Sequence, residues 1–280
     1  MMSDPAGDQF TTGERLRRAA DIVDQWAKTT VTPHPVHPGS SLAADDALFP
    51  VSSISHLAWF GIAHAVDHLH LFLHVLVRDG LSYPMAPQTL ARGGLIGAAH
   101  SLWLLDGPDR RTRQLRGLRI AHEEWRNERN AYKDIAETGE ADEGMATIIE
   151  TRTEWMTRAV TAGESIGFTS AEVKTRPNDT TLIKDVLTRY ESHEPPEPGE
   201  MSMAAGYKLH WQMLSGSAHG YRWSSLGRVE FTESKGTSAA DGVDGLMAAD
   251  EDDHWQSVGA LMLLINRAFE LFDQRRIRYT

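Results

Sequence analysis

Residues 53–78 read SISHLAWFGIAHAVDHLHLFLHVLVR, and this stretch decides the fold class. Ile62, Val66, Leu69, Leu73, Leu76 and Val77 fall on one face of a helix, and Leu57, Phe60, Leu71 and Val75 fall on the opposite face. A helix that is apolar on two sides predicts a central position with partners on both. His64, Asp67, His68, His70 and His74 interrupt the run, so no membrane span is predicted.

Immediately downstream, Asp79-Gly80 and Pro84 to Pro87 read as a turn into a second helix over Thr89–Leu105. That helix carries Gly93, Gly94 and Gly97. Each glycine costs about 1 kcal/mol relative to alanine inside a helix, so three together predict close backbone approach to a neighbour. The two segments predict an antiparallel hairpin. Upstream, residues 30–50 (TVTPHPVHPGSSLAADDALFP) form a proline-rich connection, preceded by a helix that starts near the cap Thr11-Thr12-Gly13-Glu14 and carries Leu16, Ala19, Ala20, Ile22, Val23 and Trp26.

Farther out, helical patterns cover Arg110–Ile135, Glu140–Gly163, Asn178–Tyr190, Met203–Gly220 and His254–Arg276. Residues 191–200 read as a polar surface loop, and residues 231–253, acidic and nearly free of large apolar side chains, as a mobile acidic loop. No strand and no repeat is found. The expectation is an all-α protein, a single domain over residues 1–280 with seven or eight helices, centred on the 53–105 hairpin and the last helix.

Composition narrows the function classes. The 280 residues are 41% apolar and include no cysteine, which excludes disulfides, thiolate zinc sites and cysteine nucleophiles. With no apolar N-terminal segment, a cytoplasmic location is expected. Arg outnumbers Lys 22 to 6, a bias of GC-rich bacterial coding. The net charge of −11 argues against broad attraction to nucleic acid, while leaving room for a local basic surface.

Three groups of polar residues are candidates for chemistry. His64, His68, His70 and His74 share one helix with i,i+4 spacing that suits a metal chelate completed from another helix, and equally suits space-filling histidines bonded to neighbours. Arg92, early in an apolar helix, needs a partner, and Asp67 on the facing helix is the nominee; the pair would serve a site or simply fix two helices. Tyr207, Trp211, Ser215 and His219 form a stripe on a helix ending near Gly220. Ser215 and His219 could hydrogen-bond, and a histidine at a helix C-terminus suits a general acid or a plain cap.

The blocks HAVDHLHLFLHVLVRDG, LARGGLIGAAHSLWLL and YKLHWQMLSGSAHG resemble a group of actinobacterial helical proteins, some similar to HEPN-type domains. The resemblance spans roughly residues 53–225. That group carries Glu four residues after the middle block's Arg, whereas Arg92 here is followed by Ile96. The Arg and His of HEPN ribonucleases, separated by four to six residues, match only Arg116 and His122.

The resemblance implies a HEPN-like protein of RNA-directed or defence-related processes. Arg92, Asp67, His68, Ser215 and His219 would be its polar cluster, with His219 as acid or base and Arg92 facing an anionic transition state. A non-catalytic interaction or scaffold protein and a histidine-rich metal-binding bundle are the alternatives. RNA or protein partners and a homo-oligomer are compatible with the sequence, a membrane is not expected, and no cofactor is specified.

Overall fold

Helix α1 (Thr12–Thr29) opens on a reciprocal cap: the Glu14 amide donates to the Thr11 hydroxyl at 3.3 Å, and the Glu14 carboxylate accepts from the Thr11 amide at 2.8 Å. The computed structural model describes residues 10–140, 142–192, 202–224, 229–233, 245–249 and 251–278. Among these, α2 spans Ser41–Asp46, α3 Ile54–Leu73, α4 Ala86–Leu105 and α5 Arg110–Ile135. They are followed by α6 (Glu143–Ser165), α7 (Ser170–Lys174), α8 (Asp179–Glu191), α9 (Met203–Ala218) and α10 (Glu251–Arg276). The all-α class holds, with ten helices rather than seven or eight. The two extra ones, α2 and α7, are shorter than two turns and carry no periodic signal. Helix α2 lies inside the stretch read as a proline-rich connection.

Several element boundaries differ from the expectation: α3 ends at Leu73 and passes into a π-helical turn over His74–Arg78, α6 starts at Glu143 rather than Glu140, and two further shifts have local reasons. Helix α4 starts three residues earlier than read, because Pro87 sits in its first turn, where a missing N–H costs nothing. Helix α10 also starts three residues early: Glu251, Asp252 and Asp253, read as loop, form its first turn, where carboxylates oppose the positive end of the helix dipole. Part of the rest of that stretch is a short antiparallel ribbon, β1 (Val229–Glu233) with β2 (Gly245–Ala249), in register Val229↔Ala249 to Glu233↔Gly245. The sequence GLMAA of β2 has neither β-branched residues nor alternation, so nothing marked it as a strand. Residues 193–200 and 234–244 lie outside the described residues.

The antiparallel hairpin of α3 and α4 is the most extensive helix pairing, with α10 lying across both. Its glycines do what their cost implied. A Cβ on Gly97 would stand 2.8 Å from the Gly61 carbonyl oxygen, and one on Gly61 would stand 2.7 Å from the Gly97 carbonyl oxygen, so the two backbones touch. The Ser101 hydroxyl extends the contact by donating to the Ala58 carbonyl at 2.8 Å. Around this hairpin the main core gathers Ile62, Val66, Leu69, Leu95 and Leu105 with Val23, Leu187, Leu214 and Leu261. A smaller core joins α5, α6 and α7 through Leu118, Trp125, Ala159 and Val173.

The second apolar face of α3 is not covered as expected: Phe60 is 62% and Leu71 50% exposed. The stretch Pro50–Arg78 is long and apolar enough to cross a membrane by length and composition. Ten residues of α3 between Ile54 and Leu73 are buried in the protein core, and 39% of the apolar window is buried.

Candidate functional site

The start of α8 and helix α9 line an open cleft of about 910 Å³, with α4 packed against both helices. Asn178 caps α8, its side chain accepting from the Thr181 amide at 3.0 Å, and this places Asp179 and Thr180 at the cleft wall. From α9, the Trp211 indole is buried and donates to the Thr180 hydroxyl at 3.1 Å, while Gln212, Ser215 and His219 face the opening.

The far rim is made by the end of α9. Gly220 adopts φ +73°, its amide donates to the Ser217 carbonyl at 3.0 Å, and the Tyr221 amide donates to the Gly216 carbonyl at 2.9 Å. This is the left-handed glycine stop that satisfies the last carbonyls of a helix. It turns the chain back so that Trp223 lies against Gly216, where a Cβ would stand 2.9 Å from the indole ring. Tyr221 and Trp223 nevertheless remain 58% and 52% exposed, an open aromatic rim beside half-exposed Leu209.

Behind the cleft lies a polar support. The Arg92 Nε donates to the Ser215 hydroxyl at 3.1 Å, and its guanidinium stacks over the Trp211 ring at 4.8 Å. Two turns along α4, the His100 Nε2 lies 3.3 Å from Asp179 Oδ1. The His100 hydrogen bond holds the Asp179 carboxyl below the usual carboxylate range, against burial, with the charges of His100, Arg92 and Arg176 adding to it. Arg176, at the cleft mouth, is paired with Glu123 at 3.0 Å.

Measured against the expected cluster, this support corrects several pairings. Asp67 is exposed and makes no ion pair with Arg92. Gly93 faces α3, where the His68 ring occupies the space a Cβ would need. Arg92, one residue and about 100° around the helix, therefore faces α9. His68 donates from Nδ1 to the His64 carbonyl at 2.8 Å and belongs to the hairpin, not to the cleft. Ser215 and His219 are joined only through the backbone, the His219 amide donating to the Ser215 carbonyl at 3.1 Å. Of the five expected residues, Arg92, Ser215 and His219 gather at the cleft, with Arg92 held behind Ser215.

The four histidines considered as metal ligands, three in α3 and His74 just past its end, separate into two pairs. His64 and His68 stack with ring centroids 4.1 Å apart, and burial pushes the His64 imidazole below its ordinary value. His70 lies 3.1 Å from Asp24, and His74 3.8 Å from Asp79. Among the described residues no three His, Asp or Glu side chains converge to hold a metal ion.

Arg116 and His122 do not share a cavity either. Arg116 lines a groove against α8, while His122 is buried and held below its ordinary pKa, chiefly by that burial. The sequence reading missed His100 and Asp179. His100 follows Arg92 by eight residues, about two turns along the same helix, but Asp179 looked only like a first-turn carboxylate.

No protein family, no curated protein and no solved structure matches this chain.

Proposed function

We propose that this chain is a HEPN-like helical protein that binds single-stranded RNA without cleaving it, taking an unpaired base in the α8–α9 cleft. The observation that carries this reading is the aromatic rim. Tyr221 and Trp223 present half-exposed rings at the mouth of a cleft whose sides offer the Gln212 amide and the Ser215 hydroxyl. Proteins that read unpaired nucleotides stack the bases on such rings and bond their edges to such groups.

Charge supports the base, not the phosphate, as the group that enters. The wall holds the Asp179 carboxylate, Arg176 is engaged by Glu123, and the chain carries −11 overall. Binding should therefore depend weakly on salt, unlike binding dominated by phosphate contacts. Hydrolysis is disfavoured because Arg92 spends its Nε on Ser215 and stands behind it, away from the exposed His219. A protein-docking role is the second reading, favoured by half-exposed Leu209 beside the two rings.

The test is fluorescence anisotropy with a labelled single-stranded RNA octamer, the matching duplex, and a Trp223→Ala variant. The expected result is binding of the single strand only, weakened about tenfold in the variant, since one base–ring stack is worth about 1–3 kcal/mol. Absence of binding, or equal binding by the variant, overturns the reading.

A further inference from the structure

Two arginines three residues apart on α5 are treated differently by the fold. Arg113 is buried and fully matched: its Nε donates to Asp45 Oδ2 at 2.6 Å and its Nη2 to Asp45 Oδ1 at 3.0 Å, the bidentate geometry of a guanidinium and a carboxylate. Arg116 is half-buried and has no such partner. Its Nη1 donates to the Trp103 carbonyl at 2.6 Å and its guanidinium stacks over the Trp103 ring at 4.9 Å. Its Nε and Nη2 make no hydrogen bond among the described residues.

Arg116 lines a groove of about 490 Å³ between the end of α4 and α8. Lys184, exposed on α8, and Arg189 line the same groove. Asp106 is committed to Arg189 at 2.9 Å, and neither Asp106 nor Asp185 reaches ion-pair distance of Arg116. Three cationic side chains thus meet two carboxylates, one of them already engaged. Burial, and then the Arg189 charge, push the Arg116 guanidinium below its ordinary pKa, so a further anion would relieve rather than disturb the local field.

We infer that this groove is a binding site for a phosphate group, with Arg116 as its anchor and Lys184 as its second charge. A guanidinium fixed on an aromatic ring and a carbonyl keeps its remaining donors in one plane, which suits paired bonds to two phosphate oxygens. Lys184 adds a point charge on a flexible stem. The Thr188 hydroxyl, one turn along α8, supplies a neutral donor. His122 is not among the groove residues, so no imidazole stands beside the bound anion. The inference stands on Arg116 and its neighbours whatever the α8–α9 cleft binds.

The test is isothermal titration at fixed ionic strength with inorganic phosphate, and with RNA oligomers bearing or lacking a 5′-phosphate. Wild type is compared with Lys184→Gln and Arg116→Gln. The expected result is a saturable phosphate-dependent signal, weakened about tenfold by Lys184→Gln and lost in Arg116→Gln. Saturation by inorganic phosphate alone assigns the site to the free anion, and saturation only by the 5′-phosphorylated oligomer assigns it to a phosphate carried on a chain. If no titrant saturates wild type, or if Lys184→Gln leaves a saturable signal unchanged, the site is not there. Lys184 is exposed, so that variant keeps the test open if Arg116→Gln fails to fold.

Discussion

The α3–α4 hairpin and the α8–α9 pair both bring polar residues and helices together, yet one is closed and the other open. In the hairpin, Gly61 and Gly97 let the backbones touch, and His64 and His68 stack beside that contact, leaving a pocket of only about 160 Å³ at His64 against about 910 Å³ at the cleft. Between α8 and α9, Trp211 bonds to Thr180 at the bottom while the rim stays apart, held by the turn at Gly220. Small residues close an interface and large rings prop one open. The polar residues of the first therefore serve packing, and those of the second are available to a ligand.

The sharpest way to break this contrast is Gly97→Ala. The added methyl meets the Gly61 carbonyl, a backbone atom that cannot rotate away, so the helices must separate. A loss of about 1–3 kcal/mol is expected in urea unfolding, with RNA affinity unchanged in the folded fraction. Trp223→Ala should do the reverse: its ring is half exposed, so stability should move by less than about 1 kcal/mol while affinity falls about tenfold.

Arg92→Met tests the link between the two regions, since Arg92 leaves α4 to hold Ser215 and Trp211 on α9. A loss of about 1–2 kcal/mol of stability is expected, with a smaller loss of affinity than for Trp223→Ala. Equal loss in both variants would mean that Arg92 itself meets the ligand.

Two titrations give the smallest effects. The Asp179 carboxyl is held below its unfolded value, chiefly by the His100 hydrogen bond, so its contribution is present above the unfolded pKa near 3.8 and is lost as pH falls through the folded value. Asp179→Asn should flatten that acid limb. His64 is shifted down by burial, so protonation opposes the fold. Its cost is absent above the unfolded value of 6.5 and grows as pH falls from there toward the folded pKa. His64→Gln should reduce the loss of stability measured from pH 7 to pH 5, although His122, shifted the same way by burial, leaves part of it in place.

The helices were legible because their signal is local. The periodicity of α3, the glycines of α4 and the cap at Thr11 each state their partner type in a few residues. Short α2 and α7 had too few residues to show a period, and β2 had no strand-forming side chains. The site was legible in part: Ser215 and His219 lie on one visible stripe, and Arg92 announced itself as a charge in an apolar helix. Its partner did not, because the choice between Asp67 and α9 depends on which way Gly93 faces, a property of the three-dimensional packing. Asp179 was hidden in the same way, since a first-turn aspartate reads as a helix start whether or not a histidine stands opposite it.

The most direct test of the central claim is to locate the contact itself. Single-stranded RNA containing 4-thiouridine would be photo-crosslinked to the full-length protein and the adducts mapped by mass spectrometry. Adducts concentrated at Tyr221, Trp223 and Trp211, and suppressed by unlabelled competitor, are the result expected if the α8–α9 cleft takes an unpaired base. Adducts confined to the exposed face of α3 around Phe60, or spread evenly over surface aromatics, would contradict it.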